Sequence, residues 1–223
     1  MALRGRRFLW FGVALVLAMA GAKLLDLHVS VTGAIATPSL TSRRIRTVES
    51  VQSETGAFLL FEDTERDSFG VAAADRVLGF LWRPAGGAYG YSLEPTRPLQ
   101  AAGFAIQGPQ GDSPFLVGVK VAPTSIQYLA LGCAEPCPDR PDGLNLEAVR
   151  KQPKTYTVVP VSQQYAFFVA DAMTTSTWTI WAFDAEGQLV AWKPAHGEPQ
   201  WLHAMTATAE SAVGRVQTAE GPR

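Results

Sequence analysis

The chain has 223 residues, 47% of them hydrophobic and 17% charged, and its 19 basic and 20 acidic side chains nearly cancel to a net charge of −1. That balance excludes a disordered chain and leaves no basic field to hold DNA or RNA, so no nucleic-acid partner is expected. Six Trp, eleven Phe and five Tyr favour strands over helices, and the length beyond residue 27 suffices for a sizeable core.

The first element is the apolar run Phe8–Ala22, FLWFGVALVLAMAGA, preceded by Arg4, Arg6 and Arg7. Arginines before an apolar run keep the N-terminus in the cytoplasm and send the following chain across the membrane. Two fates compete. Ala20-Gly21-Ala22 fits a small-x-small cleavage pattern, which gives a signal peptide cut at Ala22 and a secreted product. Alternatively the run stays as a transmembrane anchor. Phe8–Ala22 spans roughly 22 Å as a helix, short of a hydrocarbon core of roughly 30 Å. Leu24, Leu25 and Leu27 complete the span if Lys23 snorkels. The anchor is the preferred reading, with Phe8, Trp10, Leu15, Leu17 and Leu25 in the membrane segment, and the chain is then a single-pass membrane protein with its N-terminus cytoplasmic and its body extracytoplasmic.

Residues 28–44, rich in Ser, Thr, Gly and Pro, read as a stalk or as an edge strand docked on the domain. Residues 45–194 read as an extracytoplasmic β domain, and 195–223 as a partly disordered tail with a weak Ala-rich helix over 203–217. Within the domain, Ile45–Val51 alternates loosely. Ala57–Phe61 is a short apolar run before the charged turn Glu62–Asp67. Ser68–Ala73 and Val77–Trp82 follow as strands parted by Asp75-Arg76, and Pro84-Ala85-Gly86-Gly87 closes the unit. Strands are also expected at Tyr89–Leu93 and Gln100–Gln107, and Phe115–Val121 with Ser125–Leu131 makes a hairpin across Ala122-Pro123-Thr124. One short helix is expected after Asn145, which caps it, with Glu147 in its first turn, Arg150 and Lys151 in its last, Leu146 and Val149 facing the core, and Pro153 beyond. The last block runs Tyr156–Val161, Tyr165–Ala170, Thr177–Phe183 and Gln188–Trp192, with Gly187 supplying positive φ in the turn Asp184–Gly187. Short apolar runs with frequent turns define an all-β, mainly antiparallel, sandwich-like domain.

The first and last blocks echo each other. Ala57-Phe58 matches Ala166-Phe167, Phe69 falls on Trp178, Ala73 and Asp75 fall on Ala182 and Asp184, and with one inserted residue Trp82 falls on Trp192. An internal duplication of a three- or four-strand unit is the structural expectation, with AFLLF and AFFVA as central, doubly covered strands.

No catalytic constellation is apparent. G-x-S-x-G and H-E-x-x-H are absent, only three His occur, and no cofactor or metal is implied. A paired-carboxylate hydrolase stays open because its acids need not be neighbours in sequence. Cys133 and Cys137, the only two cysteines, are disulfide candidates outside the cytoplasm, closing a small ring worth about 2 kcal/mol. A zinc site drawing on His196 and His203 is a remote alternative. Asp63, Glu65 and Asp67 read as a solvated turn rather than a calcium loop, because Arg66 lies among them and no glycine follows where such a loop needs one. Period-2 geometry puts Trp178 and Ile180 on one face and Trp181 and Phe183 on the other, which looks like core rather than a sugar-stacking platform completed by Trp192. Trp82–Tyr91, WRPAGGAYGY, reads as a flexible recognition loop.

The segments FLVGVKVAPTSIQYLALG from Phe115 and TWTIWAFDAEGQLVAW from Thr177 resemble hairpins of uncharacterised exported or membrane-anchored β-rich proteins of spore-forming Gram-positive bacteria. The resemblance covers about residues 45–193 and implies an N-terminal anchor or signal followed by a β-rich domain. It brings no catalytic residues. The functional expectation is a membrane-anchored domain that binds or scaffolds an envelope protein or glycan. The alternatives are a secreted or anchored hydrolase and a carbohydrate-binding module.

Overall fold

A computed structural model describes residues 13, 16, 19–36, 41–42, 44–52, 54–90, 92–106, 114–122, 125–133, 144–170, 178–194 and 197–202. The chain divides into two compact units, Met1–Gly87 and Ala88–Arg223, and the protein is mainly antiparallel β in both.

In the first unit, β1 (Ile45–Gln52), β2 (Gly56–Asp63), β3 (Ser68–Val77) and β4 (Leu81–Gly90) form one sheet in that order. β2 is central, as its apolar faces demand, and pairs from Gly56↔Asp75 to Asp63↔Ser68 with β3. Two expectations are corrected here. Asp75-Arg76 does not break the strand, because Asp75 lies in register opposite Gly56 and the Arg76 N–H is bound by the Thr55 carbonyl at 2.9 Å. The turn falls instead at residues 78–80, where Leu78 and Gly79 take φ of 52° and 79°, the two positive values a tight hairpin turn requires. WRPAGGAYGY is therefore no loop; most of it is β4. β4 ends the sheet order, where a proline is tolerated. Gly87 permits close approach, since a Cβ there would meet the Val71 carbonyl oxygen at 3.0 Å.

Residues 28–36 and 41–42, expected in a stalk or a docked edge strand, are built into this unit. His28 and Trp82 exchange two backbone hydrogen bonds of 2.8 Å. Ser30 caps the short helix α1 (Val31–Ile35) by accepting from the Gly33 N–H. Ala34 and Ile35 are fully buried, and α1 packs on β3. Residues 19–24 are helical. Among the described residues no helix is long and apolar enough to cross a membrane. Phe8, Trp10, Leu15 and Leu17 lie outside the described residues, and Leu25 is exposed.

The second unit contains β5 (Leu99–Ala105), β6 (Phe115–Val121), β7 (Tyr128–Cys133), α2 (Leu146–Arg150), β8 (Tyr156–Pro160), β9 (Tyr165–Ala170), β10 (Trp178–Phe183), β11 (Leu189–Pro194) and β12 (Gln200–Trp201). They form a five-stranded sheet, β12-β11-β10-β7-β8, and a three-stranded sheet, β5-β6-β9. One apolar core joins Leu99, Phe115, Val117 and Phe168 of the smaller sheet to Leu129, Leu131, Trp178 and Ile180 of the larger, which is a sandwich. A second cluster on the outer face of the large sheet, Ala130, Trp181 and Phe183, is covered by Leu146 and Val149 of α2. β10 is thus covered on both sides, and all six of its residues are buried.

Three further expectations fail on pairing. β6 and β7 do not form a hairpin; β6 lies between β5 and β9, and β7 between β10 and β8. Pro123 lies between the strands, and the chain re-enters with Ile126 buried in the sandwich, so the link changes sheets instead of turning back. The echo does not extend to pairing either, since β2 pairs with β3 whereas β9 and β10 belong to different sheets. AFFVA lies in the end strand of the smaller sheet, although most of its residues are buried. The helix expected over 203–217 lies outside the described residues.

Candidate functional site

A polar cleft of about 330 Å³ lies in the second unit, lined by Tyr128, Glu147, Arg150, Glu186 and Gln188 together with the start of α2 and the β10–β11 turn. Its rim is built by local sequence. The Asn145 side chain caps α2 by accepting from the Ala148 N–H at 2.8 Å. The Asp184 carboxylate accepts from the Gln188 N–H at 2.7 Å and closes the turn. Gly187 has φ of 78° there, and a Cβ would meet Leu146 Cβ at 3.1 Å, so the position needs glycine twice over. The Leu146 N–H then donates to the Gly187 carbonyl at 3.0 Å, and Asn145 and Gln188 form a bridge. Helix and turn are strapped together as one rim.

On that rim the exposed Arg150 guanidinium sits 4.9 Å from the centroid of the half-buried Tyr128 ring. Such a contact is worth about 0.5–1 kcal/mol at an exposed site and biases the cation towards the ring. Among the described residues Arg150 makes no ion pair. Glu147 is engaged with Lys151 at 2.7 Å, and both are largely exposed; Glu186 is exposed as well. Among the described residues the cleft therefore offers a cation without an ion pair, two solvated carboxylates and the amides of Asn145 and Gln188.

Two other polar places stand out in this unit. A neutral depression of about 280 Å³ is lined by Gln127, Gln163 and Gln164 with Val121, Ile126 and Val161. Half-buried Lys193 donates to the carbonyls of Pro194 and Gly197 at 3.2 and 3.1 Å, and its ammonium lies 5.3 Å from the Trp178 ring centroid. Burial pushes its pKa down first; Glu198 pulls it back up and Arg97 adds to the fall.

The residues singled out from sequence fare differently. Cys133 ends β7 opposite Trp178, but Cys137 lies outside the described residues, and so does the disulfide. His196 and His203 also lie outside them. Among the described residues no group of three or more His, Cys, Asp or Glu could hold a metal ion. Trp178, Trp181 and Phe183 are buried, split between the two core clusters by the expected period of two, with Trp192 packed on the outer one. A coplanar exposed row of these rings is not formed. Asp63 corrects the expectation of a solvated turn. It is fully buried and accepts from the Ser42 N–H at 2.7 Å, the Ser42 hydroxyl, and the N–H groups of Glu65 and Arg66 at 3.1 and 3.2 Å. Burial alone would raise its pKa, but the Ser42 and backbone donors outweigh that and hold the carboxyl below its ordinary value. The Arg150–Tyr128 pair was missed from sequence, because 21 residues and an uncertain strand pairing separate its members.

Comparisons of the chain with protein-family models, with curated proteins and with solved structures found no match.

Proposed function

We propose that the protein is an extracytoplasmic β domain, tethered by its N-terminal apolar segment, that binds an anionic component of the cell envelope in the α2 cleft. The observation that carries this is Arg150, an exposed guanidinium biased towards the Tyr128 ring and without a carboxylate partner among the described residues. A planar fork of donors biased towards one place by the ring suits a carboxylate or phosphate group. Glu147 and Glu186 favour polymers that also carry amines or hydroxyls. Export rests on the three arginines ahead of Phe8–Ala22.

Hydrolysis is the weaker reading of the same cleft. A general acid needs a carboxyl whose pKa is raised by desolvation, whereas Glu147 and Glu186 are both exposed and Glu147 is already ion-paired. A carbohydrate module reading through stacked tryptophans loses its platform to the core.

The test has two arms. In cells, protease added to intact spheroplasts should remove a C-terminal tag; a protected tag refutes export. In vitro, the detergent-solubilised chain should bind soluble carboxylate- or phosphate-bearing envelope polymers, and Arg150→Ala should weaken that binding roughly tenfold or more, as expected for a charge-assisted bidentate contact. Equal binding by the variant refutes the cleft.

A further inference from the structure

Exposed large apolar side chains are distributed very unevenly. Among the described residues nine are exposed: Val13, Val16, Met19, Leu24, Leu25, Val29, Val51, Leu78 and Phe80. All nine belong to the first unit and none to the second. Six lie on the N-terminal stretch from Val13 to Val29, and two form the tip of the β3–β4 hairpin.

That tip is unusual in its chemistry. Leu78 is 77% exposed and Phe80 68% exposed. Leu78 also adopts φ of 52°, a conformation that costs a non-glycine residue on the order of 1 kcal/mol and that Asn or Gly would take more cheaply. Neither local conformation nor packing within the unit explains a leucine there. The hairpin is joined to the N-terminal stretch by backbone. His28 and Trp82 form a two-bond bridge, two residues from Phe80 on one side and one from Val29, 87% exposed, on the other. Leu24, 88% exposed, ends the helical stretch just before it, and Leu25, 62% exposed, begins the turn that follows. Arg76 stacks on Trp82 at 4.8 Å just behind the tip of the same hairpin. Apolar tips with an aromatic side chain and a cation set behind them match the headgroup–acyl boundary of a bilayer.

We infer that the β3–β4 hairpin tip, Leu78-Gly79-Phe80, dips into the membrane interface beside the point where the N-terminal segment leaves it, so that the first unit is held against the bilayer by two contacts. The inference rests on the tether proposed above. Its occupant is lipid because the His28–Trp82 backbone bridge ties the tip to the segment read as the membrane anchor, whose described large apolar side chains are exposed like those of the tip. Full burial of one Leu or Phe side chain is worth on the order of tenfold or more in partitioning, enough to keep a flexibly tethered unit from rotating freely.

The experiment uses the full chain, with both native cysteines changed to serine, reconstituted in vesicles of phosphatidylcholine and phosphatidylglycerol. An environment-sensitive fluorophore is placed in turn at Phe80→Cys, Met19→Cys and, in the second unit, Glu186→Cys. Spin labels at shallow depth in the lipid should quench the probe at 80, spin labels near mid-chain should quench the probe at 19, and neither should quench 186. Leu78→Asn, which suits the turn, should cut the quenching at 80 roughly twofold or more. A quenched probe at 19 with an unquenched probe at 80 overturns the tip contact and leaves the tether standing. An unquenched probe at 19 overturns both. A blue-shifted but unquenched probe at 80 marks contact between protein surfaces and also overturns the inference.

Discussion

Replacing Asp63 by Asn tests the tie that closes the first unit. The carboxylate is fully buried, and its two oxygens accept four hydrogen bonds, three on Oδ1 and the Ser42 N–H on Oδ2. In Asn the better orientation keeps the three bonds to oxygen but turns an NH₂ group towards the Ser42 N–H. The remaining bonds lose the charge that strengthened them. One orphaned buried donor costs about 1–3 kcal/mol, and with the weakened bonds the total should be about 2–3 kcal/mol. With a urea slope of about 1–3 kcal/mol/M, the unfolding midpoint should fall by about 0.7–3 M. Hydrogen exchange read by mass spectrometry localises the effect. Amides of residues 41–52 and 60–77 should lose protection, while those of β10 in the second unit should not. Acid should reproduce the variant. The native pKa lies below the ordinary value, so the contribution of Asp63 is complete above about pH 4 and is lost as the pH falls through the lower native value. The wild-type stability of this unit should therefore drop below about pH 4, and the Asn variant should show a flatter profile there. An unchanged midpoint and unchanged exchange around Ser42 would refute the reasoning.

Gly187→Ala combines positive φ with a 3.1 Å approach to Leu146 Cβ, and should cost about 1–3 kcal/mol in thermal unfolding while weakening ligand binding at the cleft. Asn145→Ala removes the cap of α2 and should cost about 1 kcal/mol by the same measurement. Gln163 and Gln164 have φ of 49° and 69° between the bridged pair Ser162↔Tyr165, a two-residue turn that prefers Asn-Gly. Gln163→Asn with Gln164→Gly should therefore raise stability by about 1 kcal/mol in urea titration. Arg150→Lys should bind the anionic polymer almost as poorly as Arg150→Ala, because an ammonium cannot reproduce the planar fork.

Much of the strand content was legible because apolar runs and turn residues are local signals. The AFLLF core of β2 and the WTIWAF of β10 were marked by short apolar runs bounded by turn signals, and Ile45–Val51 by a loose alternation. The Asn145 cap and Asp184–Gly187 turn were readable for the same reason, since each needs only four consecutive residues. Pairing is not local. Phe115–Val121 and Ser125–Leu131 look like a hairpin because a proline-containing gap parts two apolar strands, yet that gap equally serves a chain moving from one sheet to the other. The echo between Ala57 and Ala166 failed likewise, because any strand covered on both sides draws on the same few side chains. Leu78 hid its turn, since a leucine at positive φ carries no turn signal.

The same distinction explains why the cleft stayed out of sight. A turn residue announces what its own backbone must do, but Arg150 becomes useful only when Tyr128 is brought beneath it. That placement depends on β7 lying beside β10 and on α2 covering the outer face of both. The doubly covered β10 supplies the rigidity: its buried residues leave few ways for the strand to shift, and the turn that follows it carries the strap to α2. An oriented cation on a flexible surface would lose its advantage to side-chain entropy. Here the ring beneath Arg150 belongs to a strand paired on both sides, so the group that biases the cation is itself held in place. If that is the source of affinity, Tyr128→Leu, which keeps the apolar bulk and removes the π face, should weaken binding several-fold with the charge still present. Equal affinity in that variant would mean that charge alone, not its placement, attracts the ligand.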